Sequence, residues 1–224
     1  MSQSPPLIEV RNLSFRYDES LPLVLRNIDL EINQGEFIAF VGQNGAGKTT
    51  LVKHFNGLLL PTEGDVLLEG EDTRNLSIEE VARKIGYCYQ NPDHQIFGST
   101  VREEVSFGPK NIGMKGDKLE ESVNHALELV GLESFGDRYP LMLGRGERQK
   151  LAVASILSMQ PSVLIVDEPT TGMDYRGSQS IMELLAEWHD LGQTIMVITH
   201  DMNIVAQYVP TMVVMAQGRV LTKA

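Results

Sequence analysis

Eight consecutive residues restrict this chain more than any others: Gly42-Gln43-Asn44-Gly45-Ala46-Gly47-Lys48-Thr49, with Thr50 following. They satisfy the pattern G-x-x-x-x-G-K-[ST]. Before them runs FIAFV, apolar throughout, as a strand buried on both faces must be. After Lys48 the period changes. Leu51, Val52, Phe55 and Leu58 share one helical face, and Gly57 reads as a C-terminal stop. Glycines at such a junction let successive backbone N–H groups converge on a phosphate, and the helix start adds its positive end. Lys48 can reach the β- and γ-phosphates, and the Thr49 hydroxyl can ligate Mg²⁺. A glycine-rich turn with no ligand would not need this strand and this helix around it.

Strand and helix patterns alternate through most of the chain. LIEVRNLSFRY and LVLRNIDLEI have period-2 patterning, and PTEGDVLLEGED returns to strands. Ser77–Glu80 and Thr100–Glu103 both read as capping boxes opening helices. Residues from about Asp117 to Val130 fit a helix, as do GERQKLAVASILSM and GSQSIMELLAEWHDLG. SVLIVDEPT and QTIMVITHD are apolar strands, and TMVVMAQGRVLT closes as a hairpin. The alternation predicts an α/β fold with a parallel sheet and crossover helices. The alternating strands at both ends predict an antiparallel edge. Residues from about 91 to 145 break the alternation and are expected to form an inserted helical lobe.

Polar residues cluster at the predicted strand ends. Asp167 ends VLIVD, where ligands bind in open α/β sheets, and is placed to hold Mg²⁺. Glu168 follows it and is placed to take a proton from an attacking water. His200 ends a second apolar strand, which favours a γ-phosphate contact over a purely structural histidine. Gln90 follows GYCY at a strand-to-loop junction and can reach Mg²⁺ or that water. Tyr17 and Phe15 are each candidates to stack on a base, or ordinary core aromatics. His54, His94, His125 and His189 show no metal-site spacing.

Composition narrows the partners. The 224 residues are 42% hydrophobic and carry a net charge of −11. Such an acidic chain does not attract nucleic acid by its bulk field, and no nucleic-acid partner is expected. Cys88 is the only cysteine, so no internal disulfide is possible; it reads as a small buried thiol. The N-terminus lacks the apolar region of a signal peptide, and no apolar run approaches the roughly 18 residues of a membrane span. We expect a cytosolic chain.

Taken in order, the P-loop at Gly42, Gln90, LGRGERQ at Leu143, VLIVDEP at Val163, TTGMD at Thr170 and His200 resemble the ATP-binding cassette family over nearly the whole chain. YQNPDHQIFGSTVREEVSFGPKNIGM is similar to the ATPase subunits of energy-coupling factor transporters, prokaryotic importers of vitamins and metal ions. The resemblance implies a P-loop NTPase (RecA-like) core with an antiparallel β subdomain and an inserted helical subdomain. In residue numbers, about 1–90 and 146–224 form the core, and about 91–145 the helical part. It implies ATP and Mg²⁺ as ligands, with Asn44 and Thr50 joining Gly42, Gly45, Gly47, Lys48 and Thr49 around the nucleotide and Tyr17 stacking on adenine. It implies Glu168 as general base, His200 as switch histidine and Gln90 as sensor of a membrane partner. A second ATPase subunit, identical or different, would pair head to tail so that each ATP lies against the other's signature motif, with Asp174 at the dimer contact. A coupling helix of a transmembrane subunit would dock on Gln90–Phe107, at the cytoplasmic face of a membrane.

One motif departs from the family. Where the pattern reads Leu-Ser-Gly-Gly-Gln, this chain has Leu143-Gly144-Arg145-Gly146-Glu147. Gly144 lacks the serine hydroxyl that would reach the partner's γ-phosphate. The helix start and the Gly146 N–H remain as an anion site. GRVLTKA ends where family members continue, which suggests a truncated chain or half of a larger protein. A soluble ribosome- or DNA-acting ATPase of the same fold would carry a basic surface or long inserted arms. A third reading, a nucleotide-gated dimerisation module with negligible turnover, draws on Gly144.

Overall fold

The computed structural model describes residues 5–224. In chain order the strands are β1 (Ile8–Phe15), β2 (Leu25–Ile32), β3 (Phe37–Val41), β4 (Glu63–Leu68), β5 (Glu71–Asp72), β6 (Ile85–Cys88), β7 (Val163–Asp167), β8 (Thr194–Ile198), β9 (Thr211–Ala216) and β10 (Arg219–Lys223). The helices are α1 (Lys48–Phe55), α2 (Ile78–Lys84), α3 (Val101–Asn111), α4 (Asp117–Leu129), α5 (Arg145–Leu157), α6 (Tyr175–Asp190) and α7 (Met202–Tyr208).

A central sheet runs β10-β9-β3-β8-β7-β6. From β9 to β6 every pairing is parallel, and β10 alone is antiparallel. The order β3-β8-β7-β6 therefore sets four loops side by side at one sheet edge. Those loops carry the P-loop, His200, Asp167 with Glu168, and Gln90. The apolar strands are apolar because both faces are covered. Ile38 and Phe40 face a core with α1 and the strands of a second sheet, whereas Phe37, Leu164 and Val166 face one built from α3 to α6.

The N-terminal strands are not an edge of this central sheet. They form a separate antiparallel sheet, β2-β1-β4-β5, so only the C-terminal half of the edge expectation is met, by β10. Period-2 patterning reports a half-exposed strand without saying which sheet holds it. The helices of the inserted region do not stand apart from the core. Val105 of α3 and Leu127 of α4 share one buried cluster with Leu151 of α5 and Leu164 of β7.

Two local expectations differ in outcome. Ser77 and Glu80 make the full reciprocal capping box on α2. At α3 the Thr100 side chain accepts from Glu103 N, but the Glu103 carboxylate turns to Ser99 N instead (3.1 Å). The second box is thus only half formed.

Candidate functional site

The glycine-rich loop is shaped by its own backbone and by Lys48. Gly42 has φ +149°, and a Cβ there would lie 2.2 Å from Met215 O. Gly45 has φ +81° with open space around it, so conformation alone demands glycine there. Lys48 is buried, and its Nζ donates to Gly42 O (2.8 Å) and Gln43 O (3.3 Å), folded across the loop mouth. A phosphate entering the loop would take over those donors.

Around this loop lies an open pocket of about 370 Å³. Residues 44–50 line it together with Gln90, Asp167, Glu168, Thr171, Ile198 and His200. Four separate strand ends thus deliver their polar residues to one place.

Asp167 is buried, and its Oδ2 accepts from Thr49 Oγ1 (3.2 Å) and Tyr87 Oη (2.8 Å). Burial raises its carboxyl above the usual range, against the pull of the two hydrogen bonds; Glu168 next to it pushes the same way as burial. Burial and the neighbouring Asp167 also push the Tyr87 phenol up. A hydroxyl and a carboxylate this close supply hard oxygen ligands of the kind Mg²⁺ takes alongside phosphate oxygens and water. The pair fits that ion. Sequence reasoning missed Tyr87, which was read only as part of an aromatic strand. Its signal was the shared parity with Ile85 in a buried strand, since a buried phenol needs a partner.

Glu168 sits at φ +49°, in the left-handed region. Such a conformation costs a non-glycine residue about 1–3 kcal/mol and persists only where the surroundings enforce it. Here Glu168 N donates to Ile198 O (2.8 Å). The Glu168 Oε1 accepts from His200 Nδ1 at 2.8 Å, and Thr171 Oγ1 lies 3.4 Å from Oε2. A carboxylate oxygen only accepts, so Nδ1 carries hydrogen. The sequence reading put His200 toward a phosphate; in the structure its Nδ1 bonds Glu168.

Tyr17 and Phe15 separate. Phe15 is buried, whereas Tyr17 is 57% exposed, with its hydroxyl 3.0 Å from Thr50 Oγ1 and the Phe15 ring edge-on against it. Tyr17 is the aromatic with a free face beside the P-loop helix. Gln90 is exposed and lines the pocket. Asn44 is exposed there too.

Gly144, Arg145, Gly146 and Glu147 open α5 and do not line this pocket. Glu147 Oε2 accepts from Gly144 N (2.7 Å), and Arg145 donates to Thr171 O (2.9 Å) in its own chain. Asp174 caps α6 by accepting from Gly177 N (2.8 Å), a role the sequence reading did not assign. The 90–107 segment borders an apolar groove of about 260 Å³. Phe97 (63% exposed) and Phe107 (47%) meet there edge-to-face at 4.5 Å. Glu104 is buried beneath them and accepts from Phe97 N and Gly98 N.

The pattern described as ABC transporter matches residues 25–171. The energy-coupling factor transporter ATP-binding protein EcfA of Methanocaldococcus jannaschii is 42% identical over 217 residues, 96% of this chain and 77% of that protein. A provisionally named ABC transporter ATP-binding protein of Caldanaerobacter subterraneus is 46% identical over 214 residues; there the chain spans 37% of the relative's length. Among solved structures, cbiO1 of Clostridium perfringens, described as part of the ABC transporter complex cbiONQ, is 36% identical with a TM-score of 0.91. That match covers 98% of this chain and 88% of cbiO1. A dimeric ATP-binding cassette in a post-hydrolysis state with ADP and Pi is 28% identical with a TM-score of 0.84, covering 97% of each chain.

Proposed function

This chain belongs to the ABC transporter family of ATP-hydrolysing cassettes, and from that premise we propose that it powers an energy-coupling factor type importer of a vitamin or metal ion. One observation carries the assignment of the chemistry. A carboxylate on an enforced backbone, Glu168, stands beside the P-loop with His200 bonded to one oxygen.

In this reading Gly42, Asn44, Gly45, Gly47, Lys48, Thr49 and Thr50 hold the triphosphate, and Tyr17 stacks on adenine. Lys48 exchanges its loop carbonyls for phosphate oxygens. Thr49 and Asp167, with Gln90, would hold Mg²⁺, which neutralises phosphate charge when bound. His200 fixes the Glu168 carboxyl through Oε1, leaving Oε2 to take the proton of the attacking water. Catalysis in such sites is mostly positioning and charge stabilisation.

A second ATPase subunit would present its signature residues to this nucleotide, while Gly144–Glu147 and Asp174 face the partner. The EcfA relatives and the likeness to cbiO1 support an importer. The Phe97–Phe107 groove supports docking of a transmembrane subunit's helix beside Gln90, which would put the chain on the cytoplasmic membrane face. ATP binding closes the pair, closure moves the membrane subunit, and hydrolysis lets the pair part.

Phosphate release by the purified protein tests the chemistry. Glu168→Gln should slow turnover on the order of 10²–10⁴-fold, the share of a general base, and still bind ATP. Normal turnover in that variant would remove Glu168 from the role. Negligible turnover in the wild type, alone and with a partner ATPase, would favour the gated dimerisation module to which Gly144 lends weight.

A further inference from the structure

We propose that Arg145 is a positioning residue for the catalytic carboxylate of its own chain, acting through Thr171. The inference rests on the hydrolytic reading of Glu168 but needs no partner subunit.

Glu168 and Gly172 both hold positive φ, +49° and +74°. The turn between them thus leaves β7 through two left-handed residues. Within the turn, Thr171 N donates to Glu168 O (3.2 Å) and Met173 N to Thr170 O (3.1 Å). These bonds shape the turn but do not tie it to the rest of the molecule. Arg145 does. Its guanidinium donates to Thr171 O (2.9 Å) from the first residue of α5. It also lies flat against Gly172: a Cβ there would sit 2.8 Å from Arg145 Cζ and 3.0 Å from Nη2. Gly172 is therefore needed for the arginine's place as well as for its own φ.

Thr171 faces both ways. Its carbonyl takes the guanidinium, and its hydroxyl lies 3.4 Å from Glu168 Oε2, the oxygen that His200 leaves free. A chain of contacts thus runs Arg145, Thr171, Glu168. Arg145 does not line the pocket of its own chain, so toward that chain's Glu168 it acts by holding the turn. A lysine could reach the carbonyl but could not lie as a plane on Gly172.

The test is steady-state ATP hydrolysis by the intact protein. Arg145→Ala should lower kcat about 3- to 30-fold, the range for residues that act through another, with KM for ATP nearly unchanged. Arg145→Lys should recover part of the loss. Thr171→Val, which keeps the carbonyl but removes the hydroxyl, should lower kcat similarly, and the double variant should lose little more than either single one, because the two break successive contacts of one chain. In the Glu168→Gln background, Arg145→Ala should not change single-turnover cleavage further. A merely structural arginine would instead lower the melting temperature and leave that background sensitive. The proposal is overturned by unchanged kcat in Arg145→Ala, by additive losses, or by a change confined to KM or to dimer formation. A wild type without turnover fails the hydrolytic reading; a turning-over wild type indifferent to Arg145 fails this proposal alone.

Discussion

The P-loop pocket and the start of α5 both place a glycine before a helix N-terminus, yet they are built differently. In the pocket, Lys48, Asp167 and Glu168 are each held by a partner within the chain. At the start of α5, Gly144 offers no side chain, Glu147 is occupied with Gly144 N, and Arg145 turns toward Thr171. The first is organised for the chain's own nucleotide. The second is organised inward. Preorganised donors stabilise developing charge because they need no rearrangement at the moment of reaction. This cassette should therefore owe more to its own half of each site than to the half it lends.

Matched loss of one cation from each region puts that claim at risk. Lys48→Ala removes a donor aimed into the loop and should cost on the order of 10²–10³-fold in turnover, as loss of a preorganised donor does. Binding of a fluorescent ATP analogue should weaken with it. Arg145→Ala should cost far less, as argued above. Equal losses in parallel assays would mean that the two elements contribute alike and would end the distinction.

A second pair of variants tests the pocket's outer wall. Base–aromatic stacking contributes about 1–3 kcal/mol, so Tyr17→Ala should raise KM for ATP about tenfold with little change in melting temperature. Phe15→Ala should do the reverse, costing about 3–5 kcal/mol of stability as a buried aromatic does. Titrating ATP and melting each variant separates them. A Tyr17→Ala protein with wild-type KM would leave adenine without its proposed platform.

How much of this was readable from residues follows the same division. The P-loop, Asp167, Glu168, Gln90 and His200 were legible because each sits at the end of an apolar run, and parallel strands bring their C-terminal ends to one edge. Sheet membership of β1 and β2 was not legible from alternation, which reports exposure and not pairing partners; only the family resemblance implied a separate antiparallel β subdomain. Tyr87 was hidden for a related reason. Its partner, Asp167, lies 80 residues away and becomes adjacent only through strand order. The bond from His200 to Glu168 was equally out of reach, since two residues at one edge need not touch. Arg145 read only as part of the signature motif; the turn at Gly172 shows where its guanidinium goes.

A smaller effect sharpens the comparison from the other side. Gly144 has φ −62°, and a Cβ there meets only Glu147 Oε2 at 3.4 Å, so a side chain is tolerated. Gly144→Ser would restore a hydroxyl at the helix start. Turnover should rise about three- to tenfold, what one ordinary hydrogen bond contributes. Stability should shift by only a few tenths of a kcal/mol. No gain in phosphate release would mean that the lent half does not limit the reaction.

The smallest expected effect is one of pH, and it divides the two regions by where they titrate. His54 lies on the buried face of α1, with Nδ1 on Thr50 O (2.7 Å) and Nε2 buried without a partner. Burial lowers its pKa below the ordinary 6.5, against the pull of its backbone bonds. The unfolded chain therefore takes up a proton at a higher pH than the folded one. Stability is full above about pH 6.5 and falls as pH drops from there through the folded pKa. Asp72, held below 3.8 mainly by Arg74, keeps its own contribution in full until the pH falls to about 3.8. The buried face of α5 carries Gln149 and Ser155 but no titrating group. Amide exchange between pH 6.5 and 5 should thus quicken in α1 more than in α5, once corrected for intrinsic rates. His54→Phe should flatten the α1 response, and equal quickening of both helices would show that acid loosens the molecule as a whole rather than the P-loop half first.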